Sequence, residues 1–115
     1  MMTEIFAQGD LLIERVGDVA PSGMVEENAD GTALVLLEGE ATGHAHAIRE
    51  RVTMFRDDRL ARDIPAGLYV GHVRVGAAYA RVTHEEHGPV TLPRGTYRVR
   101  RQRELGPQDA RILAD

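Results

Sequence analysis

Cysteine, lysine and tryptophan are all absent from this 115-residue sequence, and only five residues are Tyr or Phe. Without cysteine, disulfides, thiolate zinc sites and cysteine nucleophiles are excluded, so any metal ion must be held by His, Asp, Glu, backbone or water. No apolar run approaches the roughly 20 residues that span a bilayer, and the first four residues lack the basic and apolar regions of a signal peptide. We therefore expect a cytoplasmic protein with no membrane segment.

The length predicts a single domain, 1–115, which can bury one core without staples. All fourteen basic residues are arginine, a bias typical of a GC-rich bacterial genome rather than of a particular function. Residues 1–40 hold nine acids and one arginine, for −8, while residues 41–115 hold nine acids and thirteen arginines, for +4. This asymmetry suits head-to-tail self-association into a homo-oligomer or two faces of opposite charge, and the alternative is that folding simply intersperses the charges.

Glycines punctuate the first forty residues every six to eight positions, which predicts short strands joined by tight turns. We predict about eight strands, at 11–16, 24–26, 32–37, 44–55, 68–75, 78–83, 89–92 and 96–103. The segment 32–37 is apolar almost throughout and is interpreted as buried on both faces. The pattern indicates an all-β fold, a small antiparallel barrel or sandwich.

Several connections follow from the same pattern. Asp30-Gly31 is typical of a two-residue hairpin, and reversals are predicted at Gly76-Ala77 and at 93–95. The charged stretch 56–63 has too few apolar residues to bury much and is interpreted as a surface excursion. The tail 106–115 begins with Gly-Pro and could form a short C-terminal helix, since helices tolerate proline at their first position.

Two histidines and a carboxylate stand at strand spacing in the middle of the chain. If the segment is extended, His44, His46 and Glu50 point to one face, because successive side chains alternate across a strand. Imidazole and carboxylate are ligands of divalent Zn, Fe, Mn, Ni and Cu. His84 and His87, about forty residues later, could add ligands if the fold brings them near. The alternative is a solvated hairpin tip at 84–87 and no metal.

The pattern His44-x-His46-x3-Glu50 resembles the first metal motif of the cupins, small β-barrels of the jelly-roll type. The run Gly88-x4-Pro93-x-Gly95 is similar to the start of the second cupin motif, although Arg98 stands where that motif has its histidine. The resemblance implies a cupin-like barrel with His44, His46 and Glu50 as ligands, and His84 or His87 could replace the missing fourth. The sequence is also similar to small uncharacterised bacterial proteins with no established activity.

Our first hypothesis is therefore a cupin-like protein that binds one divalent transition metal through His44, His46 and one or both of His84 and His87, with Glu50 as a ligand or an outer-shell base. If the ion is catalytic, it would act as a Lewis acid or as a source of hydroxide, and one coordination position would have to hold water. The residues indicate no substrate. The second hypothesis is a non-enzymatic assembly module that oligomerises or docks to a protein partner.

A third hypothesis concerns five arginines between Arg94 and Arg103, whose guanidinium groups match phosphate and could bind an anion or nucleic acid. The net charge of −4 and the low aromatic content argue against nucleic acid. An arginine-rich edge strand that discourages aggregation is the preferred interpretation, and pairing with the acidic N-terminal strands would serve equally well. His72, in a β-rich segment, is interpreted as a core or interface residue.

Overall fold

The computed structural model describes residues 4–39 and 43–102, which form eight strands and two short 3-10 helices. The strands are β1 (Ile5–Gln8), β2 (Leu11–Val16), β3 (Met24–Glu27), β4 (Leu34–Glu38), β5 (Ala45–Ile48), β6 (Thr53–Arg56), β7 (Tyr69–Thr83) and β8 (Val90–Arg101). The 3-10 helices are Asp58–Ala61 and Ala66–Leu68. The predicted all-β antiparallel class is confirmed, and the helix predicted at 106–115 lies outside the described residues.

All strand pairs are antiparallel and belong to one sheet, with the order β1-β2-β8-β7-β5-β4. Strand β7 also pairs with β6 near its start, and β6 in turn pairs with β3. Buried side chains from β2, β4, β5, β7 and β8 contribute to one apolar cluster, so the sheet must curve around a single core. Leu11, Leu34, Ile48, Val73 and Val99 represent these five strands in the cluster.

Period-two burial explains which face of each strand meets the core. In β2, Leu11 and Ile13 are fully buried while their neighbours are only partly covered. In β4, Leu34 is buried, but Val35 is 43% exposed. The prediction that this strand is buried on both faces is therefore wrong, because β4 lies at an edge of the sheet and only one face meets the core.

The single strand predicted at 44–55 is divided into β5 and β6 by a bend at 49–52. The buried side chain of Asn28 satisfies the backbone on both sides of this bend. Its amide nitrogen donates to Thr32 O at 2.8 Å and to Glu50 O at 3.0 Å, and its carbonyl oxygen accepts from Val52 N at 2.9 Å. A residue more than twenty positions away thus permits a break that local strand pattern does not predict.

Strands β7 and β8 run through both places where reversals were predicted. Their pairing shifts register between Val75 and Tyr79, opposite Gly95 and Pro93, so the ladder bends there without ending. Glycine and proline are tolerated at such an irregularity, where a regular ladder hydrogen bond is not required. The predictions of turns at 76–77 and 93–95 are therefore wrong, and one long hairpin replaces four short strands.

Of two further predicted connections, the first is wrong and the second is confirmed. Asp30-Gly31 does not close a hairpin between β3 and β4, because β3 pairs with β6 and β4 pairs with β5. The surface excursion expected at 56–63 is present and contains the first 3-10 helix, with the Asp57 side chain accepting from Arg59 N at its start. Strand β1 was not predicted at all.

Candidate functional site

Four histidines meet at one end of the sheet. Strand β5 pairs with the end of β7, with Ala47 opposite Thr83, so the start of β5 lies beside the tip of the β7–β8 hairpin. The ring centres are 4.4 Å apart for His46 and His84, 4.7 Å for His84 and His87, 5.7 Å for His44 and His84, and 6.4 Å for His46 and His87. We call these four residues the histidine cluster. The two stretches that the sequence could not connect are therefore neighbours.

His46 is the buried member of the cluster, with 3% of its surface exposed. Its Nδ1 lies 2.8 Å from Oε1 of Gln8. The Nε2 group of Gln8 donates to Val82 O and to Gly88 O, both at 2.9 Å, so the orientation of this amide is determined. Because the amide oxygen can only accept, Nδ1 of His46 carries the proton and Nε2 keeps its lone pair.

Burial is also the main reason that the pKa of His46 is lowered from 6.5 to about 4, and the nearby His84 and His87 lower it further. Asp10 and Glu85 act in the opposite direction. A buried imidazole without a carboxylate in direct contact loses more solvation than it gains on protonation. His46 is therefore a neutral imidazole at neutral pH, the form that binds a metal ion.

His44 has a comparable arrangement at its own Nδ1. This nitrogen lies 3.3 Å from Oε1 of Glu86, so a neutral His44 that donates here leaves Nε2 unprotonated. The neighbouring Glu85 accepts a hydrogen bond from Ala45 N at 2.6 Å, which lowers the pKa of that carboxyl. These two contacts attach the hairpin tip to the start of β5.

The two histidines of the hairpin tip are held differently. His84 accepts a hydrogen bond from Glu86 N at its Nδ1, at 3.0 Å, so a neutral His84 carries its proton on Nε2. Nε2 of His87 lies against Gly9 in the turn between β1 and β2, where a Cβ atom would be only 2.5 Å away. Gly9 also has a φ of +54°, so any side chain there would be strained and would displace the ring.

Glu50, predicted to share a face with the first two histidines, lies elsewhere. It follows the end of β5, and its Oε1 accepts a hydrogen bond from Arg81 N at 2.7 Å. Across residues 4–39 and 43–102, no group of three or more His, Asp or Glu side chains is arranged to hold a metal ion. The histidine cluster thus has the residue types of a metal site, with its nitrogen atoms not yet directed at one point.

Gln8 is a neighbour of the histidine cluster that the sequence did not predict. It ends β1, a four-residue strand with no clear periodicity, and it stands just before the Gly9-Asp10 turn. Its side chain is 3% exposed, and its contacts are with residues more than 35 positions away. The only local signal in the sequence that could have pointed to Gln8 is its position as a polar residue directly before a turn, and that signal is weak.

His72 is separate from the cluster and confirms its interpretation as a core residue. Its ring stacks on Phe55, with centres 5.3 Å apart and planes inclined at 16°. Its Nδ1 lies 2.7 Å from the Tyr69 hydroxyl, which accepts from Asp57 N at 3.4 Å. The hydroxyl hydrogen is therefore available to Nδ1, and burial lowers the pKa of His72.

Two of the four arginines of β8 are paired with acids, and the interpretation of this segment as an edge strand is wrong, because β8 lies between β2 and β7. Arg98 pairs with Glu14 at 3.3 Å and with Asp63 at 2.7 Å, and Arg101 pairs with Asp10 at 3.6 Å. Two of these three partners belong to β2 or the turn before it, so pairing with the acidic N-terminal segment within the same chain is confirmed. Strand β8 is therefore not a continuous cationic surface for a nucleic acid backbone.

The comparisons with known proteins give a family and no activity. Neither 3-10 helix in the described part of the chain has the length and apolarity needed to cross a membrane. No curated protein and no solved structure matches the chain. One family model matches residues 7–102, which include every strand from β2 to β8 and all four residues of the histidine cluster. The chain belongs to the family described as domain of unknown function DUF8820.

Proposed function

We propose that this protein binds one divalent transition metal ion at the histidine cluster. The observation that carries the proposal is the meeting of four imidazole rings from two segments about forty residues apart. Isolated histidines are common on protein surfaces, whereas four neighbouring rings at one strand end could together supply the ligands of one ion. Imidazole suits Zn, Cu, Ni and Fe, and the choice among these ions stays open.

The spacing of the rings supports the proposal. A metal ion about 2.0–2.1 Å from each imidazole nitrogen places the centres of two coordinating rings roughly 5 Å apart. Four pairs of rings in the cluster, each of which includes His84 or His87, have centres 4.4 to 6.4 Å apart, a range that brackets that value. Binding therefore requires rotation of side chains and leaves the strands where they are. His84 must also give up or rearrange its hydrogen bond from Glu86 N.

The outer contacts of two rings support it further. Metal-binding histidines usually donate their second ring nitrogen to a carboxylate, an amide or a carbonyl, which orients the ring and fixes the tautomer. His46 has Gln8 in that position and His44 has Glu86, so each presents Nε2 as the free donor atom. We assign His44 and His46 as ligands through Nε2, with His84 or His87 completing the set.

This ligand set retains part of the cupin-like resemblance and changes another part. The two histidines of the His-x-His pair are kept, and the hairpin tip of β7 and β8 supplies the further imidazole that Arg98 cannot. Glu50 is not in the set, because its carboxylate accepts from the Arg81 backbone. With three imidazole ligands, a fourth position would be open to water, as a catalytic ion requires.

The test is elemental analysis by plasma mass spectrometry of untagged protein purified without chelator. We expect about one equivalent of metal in the parent and none in the double variant His44→Ala/His46→Ala. The matched control is His72→Phe, which replaces the one histidine outside the cluster and keeps a ring on Phe55, and it should retain the metal. Circular dichroism reports whether each variant keeps its β structure.

Reconstitution extends the test. Zn, Fe, Mn, Ni and Cu are each added to chelator-treated protein and the excess is removed by gel filtration before analysis. No metal in the parent after reconstitution, or equal metal in parent and double variant, would contradict the proposal.

A non-enzymatic assembly module is the second candidate, and one observation favours it. Strand β3 is an edge strand in which all four residues are exposed, including Met24 at 79% and Val25 at 55%. Exposed apolar residues on an open strand edge invite pairing with another chain. Light scattering should then give a defined oligomer that chelator does not change and that Val25→Lys dissociates. A monomer at all concentrations would remove this candidate.

A further inference from the structure

A cavity of about 430 Å³ lies at the end of β2 remote from the Gly9-Asp10 turn and hence from the histidine cluster. It occupies the place where β7 and β8 bend and their register shifts. Its charged and polar lining consists of Arg15, Arg74, Arg94, Asp18 and Thr96. Small-molecule sites usually measure roughly 300–1,000 Å³, so the cavity can accept a small metabolite.

The charge of this cavity is opposite to that of the whole chain. Three arginines and one aspartate line it, and Glu4 pairs with Arg15 at 3.1 Å, so the local formal charge is +1, whereas the protein carries −4. Charge of one sign concentrated in a concave site raises the local concentration of oppositely charged ligands. The cavity is therefore suited to an anion.

Two of the three guanidinium groups are held in place by neighbours. Nη2 of Arg15 donates to Arg94 O at 2.6 Å, and the guanidinium lies over the ring of Tyr97 at 5.8 Å. Nη2 of Arg74 donates to Asp18 at 3.1 Å, and the same carboxylate accepts from Thr96 Oγ1 at 3.1 Å. Arginines oriented in this way lose little conformational freedom when they bind a ligand.

Donor groups remain available after these contacts. A guanidinium has five N–H groups, and in Arg94 only Nε is engaged, by Ala77 O at 3.4 Å. Among the described residues Arg94 has no carboxylate partner, so its two terminal nitrogens can bind an incoming anion. Nε of Arg15 and Nη1 of Arg74 also lack a partner in that part of the chain.

Glycine makes the wall of the cavity. Gly95 lies so close to Arg15 that a Cβ atom there would be 2.9 Å from Nη2 and 3.1 Å from Nε. The absence of a side chain is what lets the guanidinium lie flat against β8. Gly76, on the other wall, has open space where a Cβ atom would stand. Backbone and guanidinium groups therefore line the cavity together with the side chains of Val16 and Val75.

We propose that this cavity binds the phosphate group of a small phosphorylated metabolite through Arg15, Arg74 and Arg94. Guanidinium forks match phosphate oxygens, and a phosphate monoester carries close to two negative charges at neutral pH, which suits a positively charged lining in which Arg94 has no carboxylate partner among the described residues. Nucleic acid fits less well, because the site is one cavity rather than a stripe and because the ring of Tyr97 beside it is fully buried and offers no surface on which a base could stack.

The test uses ribose 5-phosphate as the probe, with ribose, inorganic phosphate and malonate as comparators. In ¹H–¹⁵N spectra of the full chain, ribose 5-phosphate should shift the backbone amide signals of Gly76 and Gly95 and the side-chain Nε signal of Arg15. Isothermal titration calorimetry gives the affinities. The proposal would be overturned if neither glycine signal shifts when the probe is at millimolar concentration and in 10-fold molar excess over the protein. Tighter binding of malonate than of ribose 5-phosphate would also overturn it.

Variants locate the binding. Arg94→Gln leaves no carboxylate unpaired and should weaken binding of ribose 5-phosphate about tenfold, as should Arg74→Gln. The control is Arg81→Gln, an exposed arginine of β7 outside the cavity, which should bind like the parent. Equal affinity in all three variants would overturn the assignment to this cavity. If inorganic phosphate and ribose 5-phosphate bind with equal affinity, the proposal that the ligand is a phosphorylated metabolite would be overturned.

Discussion

His46 and His72 are equally buried, at 3% exposure each, and burial lowers the pKa of both. Their surroundings differ in kind. His46 stands at the start of β5 with other imidazoles against its ring, whereas His72 lies within β7 with the ring of Phe55 against it. Burial and pKa alone would rank the two alike, so it is the chemistry of the neighbours that separates a candidate ligand from a core residue.

The hydrogen bonds at Nδ1 reinforce this contrast. Gln8 presents an acceptor to His46, which places the proton on Nδ1 and leaves Nε2 open. We expect the Tyr69 hydroxyl, which accepts from Asp57 N, to donate its hydrogen to Nδ1 of His72, which would place the proton of that ring on Nε2. The two buried histidines are therefore expected to be opposite tautomers, with only His46 in the form suited to coordination through Nε2.

The largest effect that would sharpen the comparison of His46 with His72 is a loss of folding stability at acid pH. A histidine in the unfolded chain is protonated below about pH 6.5, but folded His46 only below about pH 4, so between these values the unfolded state binds more protons. Stability should be unaffected above pH 6.5 and should fall as the pH falls toward 4, by about 3 kcal/mol from His46. The lowered pKa of His72 acts in the same direction.

The measurement is urea unfolding of chelator-treated protein at several pH values between 7.5 and 4. The variant His46→Leu should lose clearly less stability over this range than the parent, because the His46 contribution is removed while those of His72 and of carboxylates with lowered pKa, such as Glu85 and Asp63, remain. A decline of the same size in both proteins would assign the acid sensitivity to other groups and would break the comparison.

Much of the secondary structure could be predicted from the sequence, because it depends on local periodicity. Strand β2 has the predicted bounds, and β3 differs by one residue. The His-x-His pair and the histidines at 84 and 87 were singled out by residue type. Their proximity was not predictable, since it depends on β5 pairing with the far end of β7.

What could not be predicted depends on contacts between distant residues. The bend at 49–52 exists because Asn28 satisfies its backbone, and the ring of His46 is oriented because Gln8 is fixed by Val82 O and Gly88 O. Glycine and proline near 76 and 95 are local turn signals, yet a register shift in a long hairpin accommodates them. The local sequence thus indicates which conformations a residue tolerates, whereas strand pairing and other long-range contacts determine which conformation it adopts.

Truncation of His72 should give the next largest effect. His72→Ala removes a ring stacked on Phe55 and leaves the Tyr69 hydroxyl without its partner, so we expect a loss of roughly 2–3 kcal/mol in the free energy of unfolding. Urea unfolding at pH 7.5 measures it. Metal content should not change, and a variant that loses metal while remaining folded would show that the two histidines are coupled.

Removal of the Gln8 amide should give the smallest effect and the most specific one. Gln8→Ala takes away the acceptor that orients His46, and loss of such an outer contact typically lowers metal affinity about 10- to 100-fold. Competition titration with a chromogenic chelator measures this loss. The matched control is Gln102→Ala, whose amide also donates to a backbone carbonyl of the β1–β2 turn, Gly9 O, at 2.9 Å.

A readout that does not depend on metal separates orientation from simple destabilisation. Long-range ¹H–¹⁵N spectra of the imidazole rings distinguish the two tautomers. In the parent, His46 should carry its proton on Nδ1 and His72 on Nε2. In Gln8→Ala the His46 signals should move toward a mixture while the His72 signals stay in place, because the Tyr69 contact is intact. Unchanged His46 signals would mean that Gln8 does not set the tautomer, and the two buried histidines would then differ only in their neighbours.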